Sequence, residues 1–226
     1  MTPAKAPTVE PGSSGIVTEL RRLGVIPLIV IDDPAQADGL AQALVEGGLP
    51  CAEIAFRTPD AVEALGRIAD EHPGVLVGAG TVLSVEQAAQ ASFYGARFIV
   101  SPGMNRRVVE FCLGQSIPVF PGACTPTEIE SAIEMGLDVL KFFPAEPMGG
   151  LPFLKAIAAP YGSVGFIPTG GINAGNLAGY LRFDRVVACG GSWMAPQAWI
   201  AAGEFERIRE ATAEAVRIVR KAKGRK

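Results

Sequence analysis

Residues 139–145, VLKFFPA, set one lysine inside a run of otherwise apolar side chains. Lysine is almost never fully buried without a partner, because an ammonium kept from water costs several kcal/mol. Lys141 therefore has two readings. It is an end-of-strand lysine that snorkels its charge to solvent, or a desolvated amine, neutral often enough to attack a carbonyl and form a Schiff base. The remaining lysines read as solvated: Lys5 in a Pro/Ser/Gly-rich N-terminus, Lys155 in a helical segment, and Lys221, Lys223 and Lys226 in a basic tail.

A second polar set occupies CAEIAFRT, residues 51–58. Strand alternation puts Glu53, Ala55 and Arg57 on one face and Ile54 and Phe56 on the other. Glu53 and Arg57 could form a buried structural ion pair. Four residues at about 3.3 Å each separate their backbones by ~13 Å, so a gap that holds a small charged molecule is the competing reading. Thr81 brings a hydroxyl to the end of VLVGAGTV, and the glycine pairs of PTGGI and CGGSW expose backbone N–H groups suited to a phosphate. Tight turns that need glycine are the alternative there. A substrate with a carboxylate, a ketone and a phosphate would use all of these groups.

The elements that must position them recur in one rhythm. Strands are predicted at 25–31, 51–58, 75–82, 98–103, 118–125, 139–145, 165–172 and 186–193, with starts 20–26 residues apart. Helical patterns fill the gaps, with Asp33-Pro34, Thr58-Pro59, Ser84 and Thr125-Pro126 as starts and Gly47-Gly48, Pro73, Gly95 and Gly136 as stops. From about residue 196 a last helix carries Phe205, Ile208, Thr212, Ala215 and Val219 at three-to-four spacing. Eight strand–helix units imply parallel strands, and eight closes a (β/α)8 TIM barrel, whose chemistry sits where strands end. An open doubly wound sheet is the competing architecture, but GxGxxG after the first strand is absent. Residues 14–23 would form an extra N-terminal helix over the barrel bottom. The expected organisation is a disordered leader, 1–13, and one barrel domain, 14–226.

Composition excludes several functions. The 226 residues are 49% hydrophobic and carry a net charge of −3, without the basic footprint of a nucleic-acid binder. Cysteines at 51, 112, 124 and 189 follow no CxxC or zinc pattern, and His72 is the single histidine, so no metal or other cofactor is expected. No apolar run reaches the roughly 18 residues of a spanning helix, and the N-terminus lacks a signal core. A protein free in the cytoplasm, with reduced thiols, is the expectation.

The blocks EIAFRT, GAGTVL, SPGM, PGACTPTE, KFFPAE, PTGGI and GGSW, in this order from about residue 20 to about 205, resemble the 2-keto-3-deoxy-6-phosphogluconate aldolases. These are class I enzymes of the Entner–Doudoroff pathway. The resemblance implies a (β/α)8 barrel, a homotrimer, and cleavage of a phosphorylated 2-keto-3-deoxy sugar acid to pyruvate and D-glyceraldehyde 3-phosphate. It also implies that Lys141 forms the Schiff base and Glu53 is the general acid/base. Arg57, aided by Thr81, holds the pyruvate carboxylate. Pro102 and Phe143 line the pyruvate pocket, and Thr169, Gly170, Gly171 and Ser192 surround the rest of the substrate and its phosphate. Ala55 stands where the strand-two motif often has threonine, which bears on substrate preference rather than chemistry. Aldolases for 2-keto-4-hydroxyglutarate or the 4-epimeric phosphogalactonate are alternatives within this chemistry. A non-catalytic phosphoester-binding barrel and a metal-dependent aldolase are alternatives outside it.

Overall fold

A computed structural model of the chain describes residues 13–224. Of the expected leader, residues 1–12 lie outside the described residues, and Ser13 opens the first helix, α1 (Ser13–Leu23). Nine strand segments follow: β1 (Val25–Ile29), β2 (Cys51–Ala55), β3 (Leu76–Gly80), β4 (Ile99–Val100), β5 (Val119–Phe120), β6 (Gly122–Ala123), β7 (Val139–Phe142), β8 (Gly165–Pro168) and β9 (Cys189–Gly191). Helices alternate with them: α2 (Ala37–Glu46), α3 (Ala61–Glu71), α4 (Val85–Phe93), α5 (Arg106–Gly114), α6 (Pro126–Glu134), α7 (Gly150–Ala158), α8 (Leu177–Leu181), α9 (Gln197–Ala201) and α10 (Phe205–Ala222). No described helix is long and apolar enough to cross a membrane.

The expected fifth strand at 118–125 divides into β5 and β6, because Pro121 between them has no N–H for a ladder. The ladders are all parallel and form a six-stranded sheet, β5-β4-β3-β2-β1-β9, and a three-stranded one, β6-β7-β8. Isolated parallel bridges join Phe166 to Val186 and Thr169 to Gly190. The fold is α/β with a curled parallel sheet. Because all strands run the same way, their C-terminal ends share one rim.

Capping explains several of the helix starts. Asp33 accepts from the Ala35 N–H and Ser84 from the Gln87 N–H, while Thr125 and Glu128 form a reciprocal capping box. Thr58 departs from its expected capping role. Asp60 occupies that position, and the Thr58 hydroxyl donates to the Ile31 carbonyl at 2.6 Å, tying the loop after β2 to the loop after β1. The expected last helix is two helices, α9 and α10, divided by Gly203 at φ +66°.

Alternation along β2 works as the sequence requires. Ala52, Ile54 and Phe56 join a core cluster with Leu40 of α2 and Leu65 and Ile68 of α3. Cys51 joins the other cluster, with Phe98, Phe142 and Phe166. α1 buries Ile16 and Leu20 in that second cluster, with Val25 and Val139 from the N-terminal ends of β1 and β7. Of the expected α10 stripe, Ile208, Thr212, Ala215 and Val219 are buried.

Thr212 packs on Gly47, where an added Cβ would lie 2.7 Å from the threonine. Its buried hydroxyl has no hydrogen-bond partner among the described residues. A polar group buried without a partner costs about 1–3 kcal/mol. Thr212→Val keeps the shape and removes that cost, so a thermal melt should show a midpoint about 2–12 °C higher. A lower midpoint would mean that the hydroxyl is satisfied.

Candidate active site

β2 and β7 deliver the two central groups. Glu53 is the third residue of β2, beside Leu28 of β1 and Gly78 of β3. Lys141 is the third residue of β7, between Gly122 of β6 and Ile167 of β8. Both are buried, with 1% of Glu53 and 3% of Lys141 accessible. Lys141 Nζ lies 3.6 Å from Glu53 Oε1 and 5.2 Å from the centroid of the Phe143 ring. The snorkelling alternative is therefore excluded. Moreover, 3.6 Å is an ion-pair separation rather than a hydrogen bond, and Glu53 Oε1 has no hydrogen-bond partner among the described residues. Two buried, mutually close and incompletely satisfied groups are the arrangement a substrate or water completes.

Glycine makes this approach possible. A Cβ on Gly80 would stand 2.3 Å from Glu53 Oε1, so the carboxylate occupies the space a side chain on β3 would need. Gly122 performs the same service for the loop after β4, where a Cβ would meet the Pro102 carbonyl oxygen at 2.0 Å. Gly190 leaves room for the Thr169 hydroxyl, 2.4 Å from its notional Cβ. The sequence shows only that these positions are glycine. Which side chain each one accommodates depends on cross-strand register, which the sequence does not display.

Arg57 is exposed at the rim, two residues beyond β2, and its Nε donates to Thr81 Oγ1 at 3.3 Å. The structural ion pair between Glu53 and Arg57 does not form, since Glu53 faces Lys141 and Arg57 faces Thr81. Thr81 has φ +56°, a left-handed conformation that disfavours β-branched residues by about 1–2 kcal/mol. Strain of this kind persists where surroundings over-determine the backbone, and here it presents the hydroxyl to the arginine.

The other expected residues lie on the same rim. Pro102 follows β4 and is half-buried, and Phe143 follows β7. Thr169 is buried just after β8, Gly170 and Gly171 follow it with φ +100° and +82°, and Ser192 is exposed just after β9. Positive φ at both glycines supports the tight-turn reading. The structure thus brings Lys141, Glu53 and Phe143 together, and separately Arg57 with Thr81 and Thr169 with Gly190.

Neither Cys51 nor Cys189 is a poised nucleophile. Burial, then the Glu53 charge, pushes the Cys51 thiol far above its ordinary range, and burial does the same to Cys189. The only described trio of potential metal ligands, Asp38, Glu71 and His72, shares no residue with the Lys141 pocket.

A parallel α/β fold that carries a buried amine beside a carboxylate on the strands of its sheet is equipped for covalent amine chemistry on a carbonyl. Comparison with known proteins sharpens that class. Residues 16–211 match the model of the aldolase family described as KDPG and KHG aldolase. A Treponema pallidum protein named 2-dehydro-3-deoxy-phosphogluconate aldolase is 50% identical over 204 residues, 90% of this chain and 97% of that one. The Legionella pneumophila KDPG aldolase, solved with pyruvate captured as a covalent carbinolamine, is 38% identical. It superposes with a TM-score of 0.85 over 88% of this chain and 97% of its own. The Zymomonas mobilis enzyme solved with 3-phosphoglycerate is 40% identical, with a TM-score of 0.82 over 88% and 94%. The chain belongs to the KDPG and KHG aldolase family.

Thr81→Gly tests the strained hydroxyl. Glycine relieves the left-handed strain but gains unfolded-state entropy, so stability should stay within about 1 kcal/mol of the parent. Turnover should fall, whereas Thr81→Ser, which keeps the hydroxyl, should retain it. A Thr81→Gly variant with full activity would show that the Arg57–Thr81 contact is dispensable.

Proposed function

We propose that the chain is a Schiff-base aldolase that cleaves 2-keto-3-deoxy-6-phosphogluconate to pyruvate and D-glyceraldehyde 3-phosphate. The observation that carries the proposal is the buried couple of Lys141 and Glu53 at 3.6 Å. In its amine form, Lys141 adds to the C2 ketone and gives a carbinolamine, which loses water to become an iminium. Glu53 takes the proton of the C4 hydroxyl, directly or through a water, as the C3–C4 bond breaks. The bonding pair flows to the cationic nitrogen, leaving an enamine on Lys141 and releasing the aldehyde. Protonation at C3 and hydrolysis then free pyruvate and the lysine. Electron withdrawal by the iminium supplies what a metal would supply in other aldolases. Arg57, with its planar donor fork, takes the carboxylate. The turn at Gly170–Gly171 and the segment at Ser192 take the phosphate, a position in keeping with phosphate sites after the last two strands of such barrels.

The same proposal includes closure of the curled sheet into a (β/α)8 barrel, supported by the bridges from β8 toward β9 and by the continuity of β5 and β6. It includes a homotrimer in the cytoplasm. Leu83, Phe93 and Tyr94 around α4, and Leu113 on α5, are exposed apolar side chains that a second copy would cover. Four free cysteines fit a reducing compartment.

Pyruvate release, followed by coupled reduction to lactate, tests the function with two variants. Lys141→Ala should abolish cleavage while its circular dichroism stays native. Ser192→Ala removes one hydroxyl facing a charged oxygen, worth ~1.5–3 kcal/mol, and should lower kcat/KM for the phosphorylated substrate about ten- to two-hundred-fold. Cleavage of 2-keto-4-hydroxyglutarate should barely change. Equal losses on both substrates would make Ser192 a structural residue and the phosphate assignment wrong.

A further inference from the structure

The turn after β8 is gripped on two sides. On one side, Asn173 Nδ2 and Asn176 Nδ2 both donate to the Gly171 carbonyl, at 3.2 and 3.0 Å. Asn176 Oδ1 accepts from the Asn173 N–H, and Asn173 Oδ1 from the Gly175 N–H, each at 2.9 Å. On the other side, the loop after β7 extends the ladder beyond the strands. Ala145 N–H donates to the Thr169 carbonyl at 2.8 Å and Glu146 N–H to the Gly170 carbonyl at 3.0 Å.

Glu146 lies directly against the turn, because a Cβ on Gly171 would sit 2.6 Å from Glu146 Cβ. Its carboxylate accepts the Tyr180 hydroxyl at 2.5 Å. Tyr180 is buried in α8, and burial together with that bond keeps the hydroxyl protonated throughout the working pH range. Glu146, Tyr180 and Asn176 line a cleft of about 730 Å³ beside α7 and α8, to which Lys141, Glu53 and Arg57 contribute nothing. Glu146 is exposed, and the Tyr180 hydroxyl fixes its carboxylate and with it the Cγ that packs beside Gly171.

We infer that Tyr180, acting through Glu146, is a positioning residue that sets the Gly170–Gly171 turn for the phosphate of the substrate. The inference rests on the aldolase reading and on the phosphate assignment within it. The tyrosine ring fills the core whichever group it carries, whereas the hydroxyl serves the loop. Its loss should therefore be felt in recognition of the phosphorylated end and not at the reacting carbon.

The experiment compares the parent, Tyr180→Phe, Glu146→Gln and Glu146→Ala on 2-keto-3-deoxy-6-phosphogluconate and on 2-keto-4-hydroxyglutarate, which lacks the phosphate. Tyr180→Phe should raise KM for the phosphorylated substrate about tenfold, with kcat within about twofold, the scale of one hydrogen bond to a charged group. Its parameters on 2-keto-4-hydroxyglutarate should match the parent. Glu146→Ala should reproduce that pattern, and Glu146→Gln, which still accepts from the tyrosine, should restore the parent KM. Equal losses on both substrates, or no change on either, would overturn the inference while leaving an active parent and the aldolase reading intact. A parent that releases pyruvate from neither substrate would overturn both.

Discussion

An ammonium and a carboxylate sealed in an apolar interior each lose several kcal/mol of hydration, and their attraction returns only part of it unless hydrogen bonds complete the pair. Lys141 and Glu53 are both buried and lie 3.6 Å apart, with Glu53 Oε1 lacking a described hydrogen-bond partner. Nothing local to β2 or β7 would favour it. The surrounding sheet must fix both strands firmly enough that neither side chain escapes to water, and most of the architecture can be understood as meeting that demand. Five register pairs lock β2 to β3, four lock β7 to β8, and two core clusters pin the strands to the helices outside and to the side chains within.

Close approach is the second requirement, and glycine satisfies it. Gly80 vacates the space that the Glu53 carboxylate fills, Gly122 lets the loop after β4 close beside the strand next to Lys141, and Gly190 admits the Thr169 hydroxyl. Rim groups are arranged by different means. Arg57 is oriented by a threonine in a strained conformation, while the turn at Gly170–Gly171 is clamped by two asparagines and by the loop after β7. The buried centre is thus preorganised by packing, and the exposed recognition groups by hydrogen bonds among loops. Division of this kind allows the reacting end to stay constant while loop residues adjust the remote end.

Much of this was legible in the sequence, for identifiable reasons. Lys141 stands out because every neighbour in its run is apolar, and Glu53 because a period of two puts it on the side opposite Ile54 and Phe56. The strand–helix rhythm was legible because four of the helical segments carry recognisable start and stop residues. Pro121 was visible, yet its splitting of one strand into two depends on a ladder partner. Thr58 looked like a cap because Thr-Pro commonly is one, and its bond to Ile31 is a tertiary competition that local pattern cannot reveal. Glu146 closes the KFFPAE block but Tyr180, 34 residues further on, belongs to no block, so only the packing of the loop after β7 against α8 brings them together.

The central claim is that the buried amine of Lys141 is the group that bonds covalently to the ketoacid. Incubation with pyruvate and sodium borohydride, followed by proteolysis and mass mapping, tests it most directly. The account predicts a reduced pyruvate adduct on the peptide bearing Lys141 in the parent, and its absence in Lys141→Ala. An adduct of comparable yield in that variant, or one mapped to Lys155 in the parent, would contradict it.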